Sequence, residues 1–175
     1  VSCAYSDALL AKMFPDVNFF GVDRSSKTKE LNERYFSADN ISFYGMDICD
    51  FLESHGSELN NGLLVHQRVR AVLYPEKIRL LYRACYENNI GTILCLEPIG
   101  FSRTTNSFFK FSIEHNESVV FRAPLIMHNY PNLLLEAGYR CVDVEAMEYP
   151  HPHEDIRILK IVAVKDKLSE NIDFN

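Results

Sequence analysis

The sequence predicts an α/β fold of the three-layer sandwich type, and three observations carry that reading. Two short apolar runs, Phe19-Phe20-Gly21-Val22-Asp23 and Ile41-Ser42-Phe43-Tyr44-Gly45-Met46-Asp47, each stop at an aspartate, the pattern of buried strands that deliver acids to the end of a sheet. Helix-compatible stretches separate these runs from one another and from two later ones, so strand and helix alternate. Two alternating segments at the C-terminal end then read as a closing hairpin.

Each element has a local justification. Asp7 to Phe14 carries Ala8, Leu9, Leu10, Met13 and Phe14 at helical spacing, and Pro15 ends it. Asn18 to Val22 is a strand, Ser25 and Ser26 can cap a charged helix from about Lys27 to Tyr35, and Ile41 to Met46 is the next strand. Asp50 to Leu59 reads as a short helix closed by the turn-forming Asn60-Asn61-Gly62, before a strand at Leu63-Leu64-Val65. Pro75 starts a long amphipathic helix through Tyr86, which Asn88-Asn89-Ile90-Gly91 stops. Thr92 to Leu96 is a further strand, ending at Glu97-Pro98 with a sharp exit. The Phe-rich stretch from Gly100 to Ala123 is read as a helix or a cover over a ligand. A helix from Pro124 or Leu125 to Ala137 then ends at Gly138, and Cys141 to Met147 and Ile156 to Val164 form the hairpin strands.

Composition narrows the class. A chain of 175 residues, 47% hydrophobic and 24% charged, fits one domain with a substantial core, taken as residues 1–165 with a polar tail at 166–175. No apolar run approaches the ~20 residues that cross a bilayer, and no cationic leader opens the chain, so a soluble cytoplasmic protein without membrane contact is expected. Val1 falls in what reads as the end of a strand, so a segment upstream is expected. Five widely spaced cysteines without a CxxC pair suggest neither a disulfide framework nor a zinc site. The net charge of -6 excludes a nonspecific nucleic-acid binder and favours a small-molecule ligand; the oligomeric state stays open.

An aspartate at a strand end either caps the following helix or holds a ribose or adenine, and for Asp23 and Asp47 each alone the two readings weigh equally. The order of parts resembles the class I S-adenosylmethionine-dependent methyltransferases. The resemblance is carried by Asp23, Asp47, the short strand reaching His66, Gly91-Thr92-Ile93-Leu94-Cys95-Leu96-Glu97-Pro98, and Leu133-Leu134-Leu135-Glu136-Ala137-Gly138-Tyr139 before the hairpin. It implies a Rossmann-like sheet in the order 3-2-1-4-5-7-6 with the last strand antiparallel. It also implies S-adenosylmethionine as cofactor, with Asp23 on the ribose hydroxyls, Asp47 on the adenine amino group and Ile48 over the adenine face. Cys3 to Ser6, including Tyr5, would pass the methionine half. The opening loop departs from the family's glycine-rich segment, carrying Ser2, Ala4 and Ser6 where glycines are usual. A nicotinamide-dependent oxidoreductase ranks lower, because no G-x-G-x-x-G is present.

Methyl transfer requires alignment of donor and acceptor, exclusion of water and, for an oxygen acceptor, a base. The catalytic candidates are His66 beside the reactive end of the cofactor, Glu97 after its strand and His128 in Met127-His128-Asn129-Tyr130. Each has a plainer reading: a loop histidine, a turn cap and a surface histidine, respectively. His151, His153, Glu154 and Asp155 have metal-ligand composition, but an exposed turn is the better reading and no metal is expected. Phe101, Phe108, Phe109, Phe111 and Phe121 either line a lid or pack in the core. The expected function is methyl transfer to a hydroxyl or amine of a small molecule, the alternative a methyltransferase-like binding or scaffold domain without catalysis.

Overall fold

The computed structural model describes residues 4–67, 73–100, 119–122, 125–147 and 156–166. The chain divides into two compact units, Val1–Gly56 and Ser57–Asn175.

In the first unit two parallel strands, β1 (Phe19–Asp23) and β2 (Ile41–Gly45), pair in register from Phe19↔Ile41 to Asp23↔Gly45. Three helices, α1 (Tyr5–Met13), α2 (Ser26–Tyr35) and α3 (Ile48–His55), pack on them. Gly21 lies opposite Phe43, and a Cβ there would meet the Phe43 ring at 2.5 Å, so the missing side chain makes room for a ring that is itself buried. Helix α1 buries its alanines, Ala8 and Ala11, while Leu9, Leu10, Met13 and Phe14 stay exposed. Small side chains thus face the interior, the reverse of what residue size alone predicts. The carboxamide of Asn40 donates towards the carbonyls of Ala11, Phe14 and Val17 at 3.0, 3.0 and 2.8 Å, satisfying the end of α1 and the turn after it.

The second unit holds a four-stranded sheet in the order β3–β4–β8–β7, with β3 (Leu63–Gln67), β4 (Thr92–Gly100), β7 (Tyr139–Met147) and β8 (Ile156–Lys165). β3 and β4 are parallel, whereas β8 runs antiparallel to both β4 and β7. A separate antiparallel pair joins β5 (Val119–Arg122) and β6 (Leu125–Met127). Helix α4 (Pro75–Glu87) starts at its proline and buries Ile78, Leu81, Tyr82 and Cys85, an i, i+3, i+4, i+7 stripe. It ends at Asn88, and Asn89 takes the left-handed conformation with φ 57°. Helix α5 (Tyr130–Glu136) has Pro131 in its first turn and packs against α4 and β7. Ile93 and Cys95 of β4 and Ile161 and Ala163 of β8 complete this core.

Strands and helices thus alternate in an α/β fold whose four-stranded sheet is mixed, with β8 antiparallel to its neighbours; the expected first strand has no counterpart among the described residues. Several boundaries differ from expectation. Helix α1 starts at Tyr5, so Ser6 is helical, and Ala4 at its N-cap has φ −88°, a conformation that needs no glycine. The helix read from Leu125 onward is instead strand β6 followed by α5, because Asn129 and Pro131 start the helix at Tyr130. Pro98 does not end its strand: β4 continues to Gly100. Among the described residues the ladder to β3 runs as far as Gln67↔Leu96, and Pro98 lies opposite Ile158 of β8. Among the described residues no helix is long and apolar enough to cross a membrane.

Candidate functional site

In the first unit the parallel pairing brings two acids to the same end of neighbouring strands. Asp23 is the last residue of β1, and Asp47 follows β2 as the N-cap of α3. Each carboxylate turns back on its own chain. Asp23 Oδ1 accepts from the Ser25 N–H and Asp47 Oδ1 from the Cys49 N–H, both at 2.9 Å. Burial opposes ionisation of Asp23, but the Ser25 N–H and the charge of Arg24 are among the groups that outweigh it, and its pKa lies below the usual carboxylate range. The cap of α2 is Ser25, whose hydroxyl accepts from the Thr28 N–H at 3.2 Å. The capping reading therefore holds for Asp47, whereas Asp23 braces the turn that leads to the cap.

The remaining residues proposed for the cofactor divide. Ile48 opens α3 and is half-buried. Tyr5 opens α1, is 64% exposed and meets Phe36 edge-on at 6.4 Å. Ala4 is buried, and its N–H donates to Asn32 Oδ1 at 3.3 Å. Cys3 lies outside the described residues, as do His151, His153, Glu154 and Asp155 and the phenylalanines at 101, 108, 109 and 111; Phe121 falls in β5. Among the described residues no group of three or more His, Cys, Asp and Glu could hold a metal ion.

In the second unit the structure joins two of the three catalytic candidates directly. His66 lies inside β3 opposite Cys95 of β4, rather than after the strand. Because strand side chains alternate, Ile93, Cys95 and Glu97 share the buried face of β4, so an apolar face ends in a carboxylate beside the histidine. His66 Nδ1 lies 2.9 Å from Glu97 Oε1, and His66 Nε2 lies 2.9 Å from the Tyr82 hydroxyl of α4. Glu97 and Tyr82 are fully buried and His66 is 4% exposed. Tyr130 of α5 packs at 6.3 Å from the His66 ring, and His128 meets Tyr130 edge-on at 5.4 Å. His128 is therefore no surface histidine: it sits between β6 and α5, 2% exposed. Neither His66 nor Glu97 is a loop residue.

Tyr82 and Tyr130 were not singled out by sequence, although a signal existed. Both stand in the apolar stripe of a helix, and a buried tyrosine needs a partner for its hydroxyl. The chemistry of the group follows from its donors. Which ring nitrogen donates and which accepts depends on the tautomer of His66. The carboxylate orients the ring and would stabilise an imidazolium.

No family model and no curated protein matches the chain. Solved structures do match. A SAM-dependent methyltransferase from Anabaena variabilis ATCC 29413 superimposes with a TM-score of 0.59 over 92% of this chain and 72% of its own, at 14% identity. One from Methanosarcina mazei gives 0.56 over 90% and 86%, also at 14% identity. Human N-acetylserotonin methyltransferase in complex with SAM gives 0.56 over 94% of this chain, at 16% identity. The chain spans less than half of that human protein. At such identities the likeness establishes architecture, and with the strand neighbours described above it shows that this chain has the class I S-adenosylmethionine-dependent methyltransferase fold.

Proposed function

We propose that residues 1–165 act as a cytoplasmic methyltransferase domain that uses S-adenosylmethionine to methylate a hydroxyl or amine of a small molecule. The observation that carries the reading is the pair of acids at the same end of two parallel strands, each with one oxygen tied to its own backbone. An ionised carboxylate has about four acceptor sites, so such a tie fixes its orientation and is compatible with a sugar hydroxyl or an amino group as a further donor. The donor chemistry of ribose and adenine fits this acceptor set. Asp23 would hold the ribose diol and Asp47 the adenine amino group, with Ile48 against the ring and Cys3 and Tyr5 along the methionine half. When bound, the cofactor supplies a methyl group on a sulfonium. His66 and Glu97 would serve the acceptor, with His128 contributing from the segment before α5.

Titration calorimetry with S-adenosylmethionine and S-adenosylhomocysteine tests the reading. Loss of one charged hydrogen-bond partner costs ~1.5–3 kcal/mol, so Asp23→Ala is expected to weaken binding by roughly 10- to 150-fold. Absence of binding to the parent chain would overturn it. A second reading, a domain that binds without catalysing, is favoured by the burial of His66, Glu97 and Tyr82. Cofactor binding without turnover of hydroxyl or amine acceptors would select it.

A further inference from the structure

We propose that Tyr82 is a positioning residue for His66: with Glu97 it fixes which imidazole nitrogen carries the proton. The inference deepens the reading in which His66 serves a methyl acceptor. An isolated histidine distributes its proton between two tautomers, and either nitrogen can then be the base. Here the two ends of the ring meet unlike groups. Glu97 at Nδ1 is an acceptor only, whereas Tyr82 at Nε2 can donate or accept. With Nδ1 protonated, both 2.9 Å contacts are hydrogen bonds, the second donated by the phenol. The opposite tautomer would set the Nδ1 lone pair against a carboxylate oxygen in a fully buried site, which is repulsive. The phenol can also reverse. If His66 gains a proton, Nε2–H donates to the Tyr82 oxygen while Glu97 balances the charge. No contact along the line need break.

This arrangement gives Tyr82 a role that packing alone would not require. A phenylalanine at that place in the α4 stripe would fill nearly the same volume beside Ile78, Leu81 and Cys85, yet it would leave Nε2 without its donor. Tyr130 and His128 add a second aromatic wall near the ring, at 6.3 Å from His66 and 5.4 Å from Tyr130 respectively.

The test is nitrogen-15 NMR of the imidazole rings in the full chain, with His66 assigned by the signals lost in His66→Gln. The parent protein is expected to show His66 with a protonated Nδ1 and an unprotonated Nε2 near neutral pH. Tyr82→Phe should shift the Nε2 signal towards that of a nitrogen without a hydrogen-bond donor and leave Nδ1 protonated. Glu97→Gln should allow the second tautomer, because an amide can donate to Nδ1. A parent spectrum with Nε2 protonated and Nδ1 bare, or a His66 Nε2 signal unmoved by Tyr82→Phe, would overturn the proposal. The parent spectrum decides it even where a variant fails to fold. The measurement needs neither cofactor nor acceptor, so failure of the methyltransferase reading in calorimetry is a separate result.

Discussion

Removing His66 alone from its buried polar line should cost more than removing His66 and Glu97 together. In His66→Leu the Glu97 carboxylate stays fully buried without its imidazole donor, and a buried pair broken from one side costs ~3–5 kcal/mol. In Glu97→Leu the cost is the buried Nδ1–H left without its acceptor, ~1–3 kcal/mol. If the two positions acted independently, the double variant would lose about 4–8 kcal/mol, enough to unfold many domains. The geometry predicts otherwise. With both polar groups gone, the main residual cost is the contact that the Tyr82 hydroxyl loses to Nε2, ~1–3 kcal/mol, and adding Tyr82→Phe should recover most of it. Urea denaturation followed by circular dichroism reads each step, since ~1 kcal/mol moves the midpoint by several tenths of a molar for a chain of this size. A double variant that loses the full sum of the single losses would refute the reasoning. It would show that each side chain contributes through its own packing and that the 2.9 Å contacts carry no coupling.

Two further expectations concern the frame around the site. Gly21→Ala drives a Cβ to 2.5 Å from Cδ1 of the buried Phe43 ring, and should destabilise by ~1–3 kcal/mol in the same assay; Phe43→Leu in that background should relieve it, and an unchanged midpoint for Gly21→Ala would contradict the close approach. Tyr139 is buried, donates to the Ile90 carbonyl at 2.8 Å, and has its pKa raised above the usual value of 10.0, first by desolvation and then by Cys85 and Tyr86. The folded state therefore keeps the phenol neutral where the unfolded chain ionises. That contribution is complete below pH ~10 and is lost as pH rises further, by up to ~1.4 kcal/mol per unit. Tyr139→Phe should be less stable by ~1 kcal/mol at neutral pH yet show a shallower alkaline loss; equal alkaline slopes would be the contrary result.

Period-2 and helical patterns made most of the fold legible. Asp23 and Asp47 were visible because an acid ending a hydrophobic run is conspicuous whether it caps or binds. Leu125-Ile126-Met127 was misread because a three-residue apolar run has no period, and only Asn129 with Pro131 marks where the helix begins. Asn40 was missed because its three carbonyl partners lie 23 to 29 residues away, and no local pattern encodes such a clamp. His66 and Glu97 were each legible as residues near strand ends. Their pairing was not, because it depends on register: His66 opposite Cys95 and Glu97 one pleat further. Tyr82 completes the line from a helix whose rotation about its axis only packing determines.

The capping and binding readings of the strand-end aspartates began as rivals, but a carboxylate tied to its own backbone is compatible with both. A carboxylate on a flexible turn would lose side-chain freedom on meeting a ligand, and that cost would be taken from affinity. Asp47 loses it on folding, because its cap bond to Cys49 is part of the start of α3. Asp23 does the same through Ser25, the residue that in turn caps α2. Each acid is thus oriented by the helix that follows it, so the two helices that stabilise the unit also preset the two carboxylates. Asp23→Asn then separates the roles. The amide oxygen can keep the Ser25 bond, so α2 and the unit's stability should change little, whereas the loss of charge should weaken a ribose diol's hydrogen bonds. A binding loss without a stability loss is the signature of an acid that both braces a turn and holds a ligand; a stability loss with unchanged binding would leave only the brace.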